Sequence, residues 1–195
     1  PPGIETLPVA PDLDSLPPDS LYQGEILEHR AAVNAFLKGE ESPLEEADRT
    51  NFAGLRYFPV DPRYRFRIPL RPAARADTVI ILDTKGAERK FEIHGKLRFA
   101  VNGVAQELTL FREPYQKYFF LPFRDATAGR DTYEVGRYVE PVAAADGTFL
   151  VDFNRAYNPY CAYSHRWACP IPPAENVLTV SIPAGEMKYH VNEGS

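Results

Sequence analysis

The stretch "KLRFAVNGVAQELTL", residues 96–110, carries the strongest local indication of the fold. An Asn-Gly dipeptide at positions 102–103 lies between two segments in which apolar and polar residues alternate. This dipeptide favours a two-residue hairpin turn, because both turn positions need positive φ. The turn fixes the register and places Arg98 opposite Glu107, an ion pair worth roughly a few tenths of a kcal/mol. The other predicted facing pairs are Leu97 with Leu108, Phe99 with Gln106, and Val101 with Val104.

Short strands are predicted on both sides of this hairpin. "YRFRIPL" at 64–70 alternates apolar residues with arginines, and "DTVIILD" at 77–83 is a short apolar run followed by turn residues. Further strands are predicted at about 117–123, 133–140, 148–153, 177–182 and 186–191. About nine or ten short strands without intervening helices indicate a mainly β chain, folded as an antiparallel β-sandwich or a partly closed barrel.

The N-terminal part of the chain is predicted to contain a leader and a helix. Residues 1–19 are rich in proline and poor in apolar anchors, which is typical of an extended leader or linker. A capping box at Ser20 and Gln23, followed by apolar residues at helical spacing, predicts an N-terminal amphipathic helix at about 21–38. A Ser-Pro start after it predicts one or two further turns, ending near Thr50. The expected apolar positions of the first helix are Leu27, Val33, Phe36 and Leu37.

Charge and hydropathy restrict the partners that the chain can have. The net charge is −5 and the pI is near 5.4, so a phosphate backbone repels the molecule as a whole, and no nucleic acid partner is expected. The longest uninterrupted apolar run, at 79–82, is far too short to cross a bilayer, so no membrane span is predicted. A length of 195 residues fits one globular domain, expected at 20–195.

Cys161 and Cys169, the only cysteines, lie in the irregular stretch "DFNRAYNPYCAYSHRWACPIPPAEN" at 152–176. Their spacing matches neither a C-x-x-C redox motif nor the paired spacings of structural zinc sites. A disulfide is the favoured interpretation, and it would constrain the unfolded chain by roughly 2.5 kcal/mol. Two buried free thiols, or a metal-binding or catalytic cysteine, are the alternatives. Together with the proline leader and a first residue that is not Met, a disulfide favours a periplasmic or secreted location.

Two further segments contain polar residues that can form a site. In "TFLVDFN" at 148–154, strand alternation puts Asp152 and Asn154 on one face, where they can line a cavity or face solvent. In "PFRDATAGRDTYEVGRY" at 122–138, the arginines can clamp a planar oxyanion bidentately. They can equally tie down a long connection through bonds to carbonyl groups. Spacing favours neither alternative in the second segment.

Several of these motifs together resemble a known family. "FAGLRYFPVD", "LPFRDATAGRDTYEVGRY", "DFNRAYNPYCAY", "CPIPPAEN" and "AGE" are similar to a bacterial and archaeal family catalogued as domain of unknown function 1684, over about residues 25–189. The family brings no established activity. The resemblance implies that the matching polar positions share one pocket, because a bare sandwich does not require so many sequence-distant polar side chains.

The leading prediction is therefore a binding module for a small polar or anionic ligand, in a pocket under the 154–176 loop. An enzyme, a hydrolase or lyase with Asp152 and Glu175 as acid and base, is the first alternative. A structural or interaction domain with an exposed apolar patch is the second. No catalytic residue, metal ligand or cofactor is assigned, since no phosphate loop, nucleophile elbow or zinc motif is present. The predicted ligand-binding residues are Arg124, Asp125, Tyr133, Arg137, Asp152, Asn154, Tyr157, Asn158, Glu175 and Asn176.

Overall fold

The computed structural model describes residues 19–75, 77–115 and 118–189. It confirms the mainly β fold: within these residues, eight antiparallel strands form one curled sheet, a half-barrel, and an N-terminal helix lies beside it. The predicted leader lies outside the described residues, apart from Asp19, where the helix begins. No helix of the described ranges is long and apolar enough to cross a membrane.

The sheet joins strands that are mostly neighbours in sequence. The strands are β1 Arg65–Pro72, β2 Thr78–Leu82, β3 Glu88–Val101, β4 Val104–Arg112, β5 Phe119–Phe123, β6 Arg137–Val139, β7 Val142–Ala143 and β8 Thr148–Asp152. Their order in the sheet is β6-β5-β4-β3-β1-β8-β7, and β2 pairs with β3 outside this path. The non-sequential pairing of β1 with β8 brings the first and last strands together and places the chain after β8 beside the N-terminal helix.

The β3–β4 hairpin has the predicted register. All four predicted facing pairs are observed, and the turn residues Asn102 and Gly103 have positive φ, 50° and 80°. Glu107 accepts hydrogen bonds from both Lys96 and Arg98, and these bonds lower the pKa of its carboxyl group. The three charged side chains are on the exposed side of the ladder, where ion pairs add little. The turn and the buried apolar face therefore set the register.

The long strand β3 has 14 residues and changes partner along its length. Residues 88–92 pair with β2, whereas residues 95–97 pair with β1. The register against β4 shifts between the two parts, at a bulge that contains Gly95. A Cβ atom at Gly95 would meet the carbonyl oxygen of Arg71. Because a bulge bends its strand and increases the local twist, the sheet curls into a half-barrel at this point.

Both faces of the sheet are buried. Alternating strand residues, such as Leu110 and Phe111, belong to two different apolar clusters. The larger cluster fills the space enclosed by the strands and includes Ile68, Leu97, Leu108, Leu121, Phe123, Val151 and Phe153. The second cluster includes Phe91, Phe111, Phe120 and Tyr138, together with Cys161 and Cys169. The irregular segment that carries the cysteines thus covers the second face.

The N-terminal helix α1 is described as Asp19–Lys38, close to its predicted bounds. Ser20 consequently lies inside the first turn and is not the N-cap. Leu27, expected on the apolar face, is 52% exposed, because the residue before it, Ile26, takes the buried position. A second helix, α2, spans Glu46–Thr50 and ends where predicted. The buried positions of α1 are Tyr22, Ile26, Arg30 and Leu37.

One predicted strand, at 177–182, is wrong. The backbone there forms only an isolated bridge, between Val177 and Arg124, and Ile182 N donates to the Asp125 carboxylate at 2.7 Å. Leu178 N donates to the carbonyl oxygen of Arg124, also at 2.7 Å. Since a side chain takes one of the donors, the apolar run packs into the core without extending the sheet.

Two other predicted strands are shorter in the structure. The strand expected at 133–140 is reduced to β6, because Gly136 with φ of 132° turns the chain just before it. Of the strand expected at 186–191, Glu186 forms an isolated bridge with Tyr57. Positions 190 and 191 lie outside the described residues.

The segment after β8 approaches the C-terminal segment most closely at Gly185, where φ is 77°. A Cβ atom there would lie 2.5 Å from the carbonyl oxygen of Ala156 and 2.7 Å from that of Phe153. We expect Gly185→Ala to lower the free energy of unfolding by about 2–4 kcal/mol, from positive φ and backbone overlap together. Gly86→Ala is the matched control, since φ is 81° and nothing lies within 4 Å. It should lose only about 1 kcal/mol in urea denaturation; equal losses would contradict the close approach.

Candidate functional site

Arg137, predicted as a charge partner for a ligand, is enclosed by the protein. Its side chain is 1% exposed. The guanidinium donates to the carbonyl oxygens of Ile182 at 3.0 Å, Glu186 at 3.1 Å, and Ala184. It also forms an ion pair with Asp125 at 3.2 Å. These bonds tie β6 to the C-terminal segment, so both terminal nitrogens of Arg137 are used by the fold and are not available to clamp a ligand.

Asp125 belongs to the same network and is also saturated by protein donors. Its carboxylate accepts from the Thr127 hydroxyl and backbone, and from Ile182 N and Arg137. Arg124, the other arginine predicted to bind a ligand, is exposed. The two predicted arginines therefore do not converge on one pocket.

Asp152 and Asn154 form a second network, beneath α1. The Tyr22 hydroxyl lies 2.8 and 2.9 Å from the two Asp152 carboxylate oxygens. The Asn154 amide exchanges two bonds, each of 2.9 Å, with the backbone of Asp61. Burial raises the pKa of Tyr22, and the Asp152 charge adds to this effect. This network docks the first turns of α1 on the end of β8.

Other predicted residues also bond to nearby parts of the fold. The Asn176 amide donates to the carbonyl oxygens of Thr109 at 2.9 Å and Pro122 at 2.7 Å. The Tyr157 hydroxyl donates to Glu140 at 3.0 Å. The Asn176 side chain thus takes the place of a neighbouring strand as hydrogen-bond partner for the backbones of β4 and β5. The Tyr157 bond to Glu140 lies at the edge of the second face.

Glu175, predicted with Asp152 as an acid–base pair, is exposed, whereas Asp152 is 6% exposed beneath α1. No hydrogen bond or ion pair links the two carboxylates in the ranges that the structure describes. Among those same residues, no group of three or more His, Cys, Asp or Glu side chains is arranged to hold a metal ion.

Cys161 and Cys169 are buried free thiols, so the predicted disulfide is absent. Cys161 N lies 3.3 Å from the Cys169 sulfur, and the Tyr133 hydroxyl lies 3.8 Å from the Cys161 sulfur. Bonds from Cys169 and Tyr133 lower the pKa of the Cys161 thiol to about 7, against the effect of burial. The segment is held instead by its packing on the sheet and by a backbone bond from Thr84 N to Cys169 O. The predicted periplasmic or secreted location therefore loses the support that a disulfide would have given it.

A buried polar cluster lies between α1, the segment before β1 and the C-terminal segment. It consists of Arg30, Tyr57, Asn158, Tyr163 and Glu186, and only Asn158 among them was predicted as a site residue. One oxygen of Glu186 accepts from Asn158 N at 2.8 Å and from the Tyr163 hydroxyl at 2.7 Å. Burial raises the pKa of Glu186 to about 7, although these two bonds and the Arg137 charge oppose the shift.

Arg30 places a cation under α1 with one edge of its guanidinium unused. Its side chain is 8% exposed, Nη1 donates to Phe58 O at 3.0 Å, and the guanidinium lies 4.5 Å from the centre of the Tyr57 ring. Nε and Nη2, the edge that receives a carboxylate side-on, have no hydrogen-bond partner among the described residues.

Unpartnered polar atoms concentrate in this cluster. The Tyr57 hydroxyl and the Asn158 Oδ1 also lack a partner among the described residues. The cluster thus holds four of the seven buried side-chain atoms that are unpartnered there, and Arg30 is the only such side chain with two. Buried polar groups in folded proteins are nearly always hydrogen-bonded, so this concentration indicates a place for a bound group.

An open cavity of about 420 Å³ lies next to the cluster along the chain. Arg56 and Lys188 line it, whereas their chain neighbours Tyr57 and Met187 do not. The Arg56 carbonyl accepts from Met187 N at 2.9 Å, so the two segments that contribute to both the cluster and the cavity are paired. The full lining is Asp48, Asn51, Phe52, Ala53, Gly54, Leu55, Arg56, Lys188 and Tyr189.

Two sequence signals could have indicated the cluster. Arg30 follows Tyr22 and Ile26 at intervals of four residues, so a charge falls on the buried side of a helix. Glu186 is the acidic residue of the "AGE" motif at 184–186, which follows an apolar segment. A charged side chain at a core position needs a hydrogen-bonding partner. The positions of Arg30 and Glu186 in the sequence could therefore have indicated a buried polar site.

The Arg137 network generates a test of structural role against binding. We expect Arg137→Met to lower the free energy of unfolding by about 3–5 kcal/mol, because it leaves the Asp125 charge and three carbonyl groups without their donor. Arg130→Met removes an exposed arginine paired with Asp131 and should stay within about 0.5 kcal/mol of the parent protein. Urea denaturation measures the unfolding free energies of both variants. An unchanged midpoint for Arg137→Met would show that Arg137 does not anchor the C-terminal segment.

Glu186 should make stability depend on pH with a definite sign. Between pH 4.5 and about 7 the folded protein keeps a proton on Glu186 that the unfolded chain has released, so its contribution to stability falls as pH rises. Glu186→Gln keeps a neutral side chain at every pH. The difference in unfolding free energy should therefore move in favour of the variant by up to roughly 1.4 kcal/mol per pH unit in this window. A difference that is flat from pH 4.5 to 7 would show that Glu186 titrates normally.

Comparison with known proteins agrees with the resemblance of the motifs. The family described as "Protein of unknown function (DUF1684)" matches residues 50–187. The chain is also similar to an uncharacterised protein of Haloarcula marismortui, whose solution NMR structure has a TM-score of 0.67 with it at 31% sequence identity, covering 86% of this chain and 95% of that chain. No curated protein matches significantly. The chain therefore belongs to the DUF1684 family.

Proposed function

We propose that the protein is a binding module for a small anionic ligand, held in the buried polar cluster by the free edge of Arg30. The observation that carries the proposal is the pair of unpartnered nitrogens, Nε and Nη2, on one side of a guanidinium that is 8% exposed. This edge matches two oxygens of a carboxylate, because the donors are fixed in one plane.

The local charge balance supports an anion. Burial, and to a smaller degree the positive charges of Arg155 and Arg30, lower the pKa of His29 to about 4. Two nearby acids, Asp152 and Glu186, act on the Arg30 charge, and each of them has other partners. Asp152 is engaged by Tyr22 and lies 3.9 Å from Arg155. Glu186 carries only part of a negative charge near neutral pH, because burial raises its pKa. Arg30 thus remains a buried cation without a direct acidic partner among the described residues.

The proposal keeps one wall of the predicted pocket and changes the residue that binds the charge. Asn158, a predicted site residue, and Tyr163, which was not predicted, come from the 154–176 loop, and each donates a hydrogen bond to Glu186. Arg30 replaces Arg137 as the charge partner. Since the side chains of Arg30, Asn158, Tyr163 and Glu186 are buried, the ligand is small.

The two alternative functions have less support. The enzyme alternative paired Asp152 with Glu175. Glu175 is exposed whereas Asp152 is buried, so the two carboxylates lie in different environments. The structural or interaction alternative predicted a domain without a cleft, whereas a cavity of about 420 Å³ opens beside the cluster. We therefore propose binding and assign no reaction.

Substitution of Arg30 tests the proposal directly. We expect acetate and formate, titrated at constant ionic strength, to raise the melting temperature of the parent protein saturably, because a ligand that binds only the folded state adds about 2.7 kcal/mol at a hundred times its dissociation constant. Arg30→Lys keeps the charge but loses the two-nitrogen edge and should weaken binding by about tenfold or more. Arg30→Met should abolish it.

The control for this experiment is Arg63→Met, since Arg63 is an exposed arginine paired with Asp61. It should respond to acetate like the parent protein. A parent protein that shows no saturable response, or an Arg30→Met variant that responds as the parent does, would show that the edge of Arg30 is not a binding site. Calorimetric titration of the same variants separates binding from a general effect of salt.

A further inference from the structure

A simple carboxylate leaves part of the buried polar cluster unexplained. The Asn158 side chain is 1% exposed, and its Oδ1 has no partner among the described residues. The same residue donates its backbone N–H to the Glu186 carboxylate at 2.8 Å. The Asn158 Oδ1 is an acceptor, the ionised Glu186 carboxylate is another, and acetate offers neither of them a donor. A ligand that satisfies the whole cluster therefore needs a donor as well as an anionic group.

The donor and acceptor ends of the cluster are close together. Tyr57 connects them, because its ring stacks on the Arg30 guanidinium at 4.5 Å and its backbone bridges to Glu186. Burial raises the pKa of the Tyr57 hydroxyl, with a further contribution from the Glu186 charge. The two ends of the cluster therefore lie on either side of one residue, Tyr57.

We infer that the ligand is a small 2-amino acid in its zwitterionic form, with the carboxylate on Nε and Nη2 of Arg30 and the ammonium group facing Asn158 Oδ1 and Glu186. This inference rests on the proposed function and adds the ligand class to it. The ammonium group supplies three donors, and the carboxylate supplies acceptors for the Arg30 edge. The enclosure by α1 favours a side chain of the size of glycine or alanine.

The charged and titratable groups around Glu186 determine how binding depends on pH. Between about pH 6 and 8, Glu186 is the group among them whose charge changes, since its pKa is raised to about 7. The pKa of His29 is near 4, the pKa values of both tyrosines are raised, and the arginines stay charged. The surrounding groups are Arg30 and His29 from α1, Tyr57 before β1, Arg137 from β6, and Tyr163 from the loop.

Opposite pH slopes for two ligands test the inference. Calorimetric titration of the full chain with glycine and with acetate at pH 6 and pH 8 is the experiment. We expect glycine to bind about 10–100-fold more tightly than acetate at pH 8, from the additional charged hydrogen bonds. Glycine affinity should rise up to about tenfold from pH 6 to pH 8, because its ammonium group favours ionised Glu186, whereas acetate affinity should fall.

Two variants separate the parts of the site. Glu186→Gln should remove the pH dependence for both ligands and bring the affinity of glycine toward that of acetate. Arg30→Lys should weaken both ligands. Acetate binding that depends on Arg30, with glycine no tighter or with no rise at pH 8, would overturn the amino acid inference and leave the proposed function standing. If neither acetate nor glycine binds saturably, both fall.

Discussion

The Arg137 guanidinium holds three carbonyl oxygens and one carboxylate at the same time, inside the fold. A cation buried this deeply is tolerated only when its hydrogen bonds are nearly complete. Removal of either Arg137 or Asp125 would leave the other charge unpaired in the low-dielectric interior. The geometry of the C-terminal segment follows from this requirement, since its carbonyl groups must point inward at 182, 184 and 186. That arrangement presses Gly185 against the chain after β8 and turns the Glu186 side chain into the space under α1.

The buried polar cluster follows from this anchor and from the helix above it. Glu186 is fixed from the C-terminal side, Arg30 descends from α1, and Tyr57 lies between them on the segment before β1. An acid and a cation that share a closed space normally pair directly. Here the acid bonds to Asn158 and Tyr163, and the cation bonds to a carbonyl group and an aromatic ring. The two charges are therefore held apart with unused hydrogen-bonding capacity on both, and this separation makes the site a candidate for a ligand.

The sequence predicted those parts of the molecule whose causes are local. The Asn-Gly turn determines the β3–β4 register, and the alternation in 64–70 and 148–153 determines which residues of β1 and β8 enter the core. The partners of Arg137 were not predictable, because they are backbone carbonyl groups in a segment without periodicity. Arg30 was missed because one charge in an apolar stripe does not change the helical pattern. The cysteine prediction failed because packing on the second face of the sheet holds the loop without a crosslink. The family match begins at residue 50, so Arg30 lies outside it, while Tyr57, Asn158 and Glu186 lie inside.

The distance along the chain between the β3–β4 hairpin and the C-terminal core residues has a consequence for the order of folding. The hairpin of 88–112 closes over a two-residue turn, and such local pairing forms in about 1–10 μs. The interior of the half-barrel, however, is completed by Ile182 and Ala184, which are fully buried and lie some 70 residues further along. A nascent chain therefore carries a formed hairpin with an uncovered apolar surface until the segment that binds Arg137 has been synthesised.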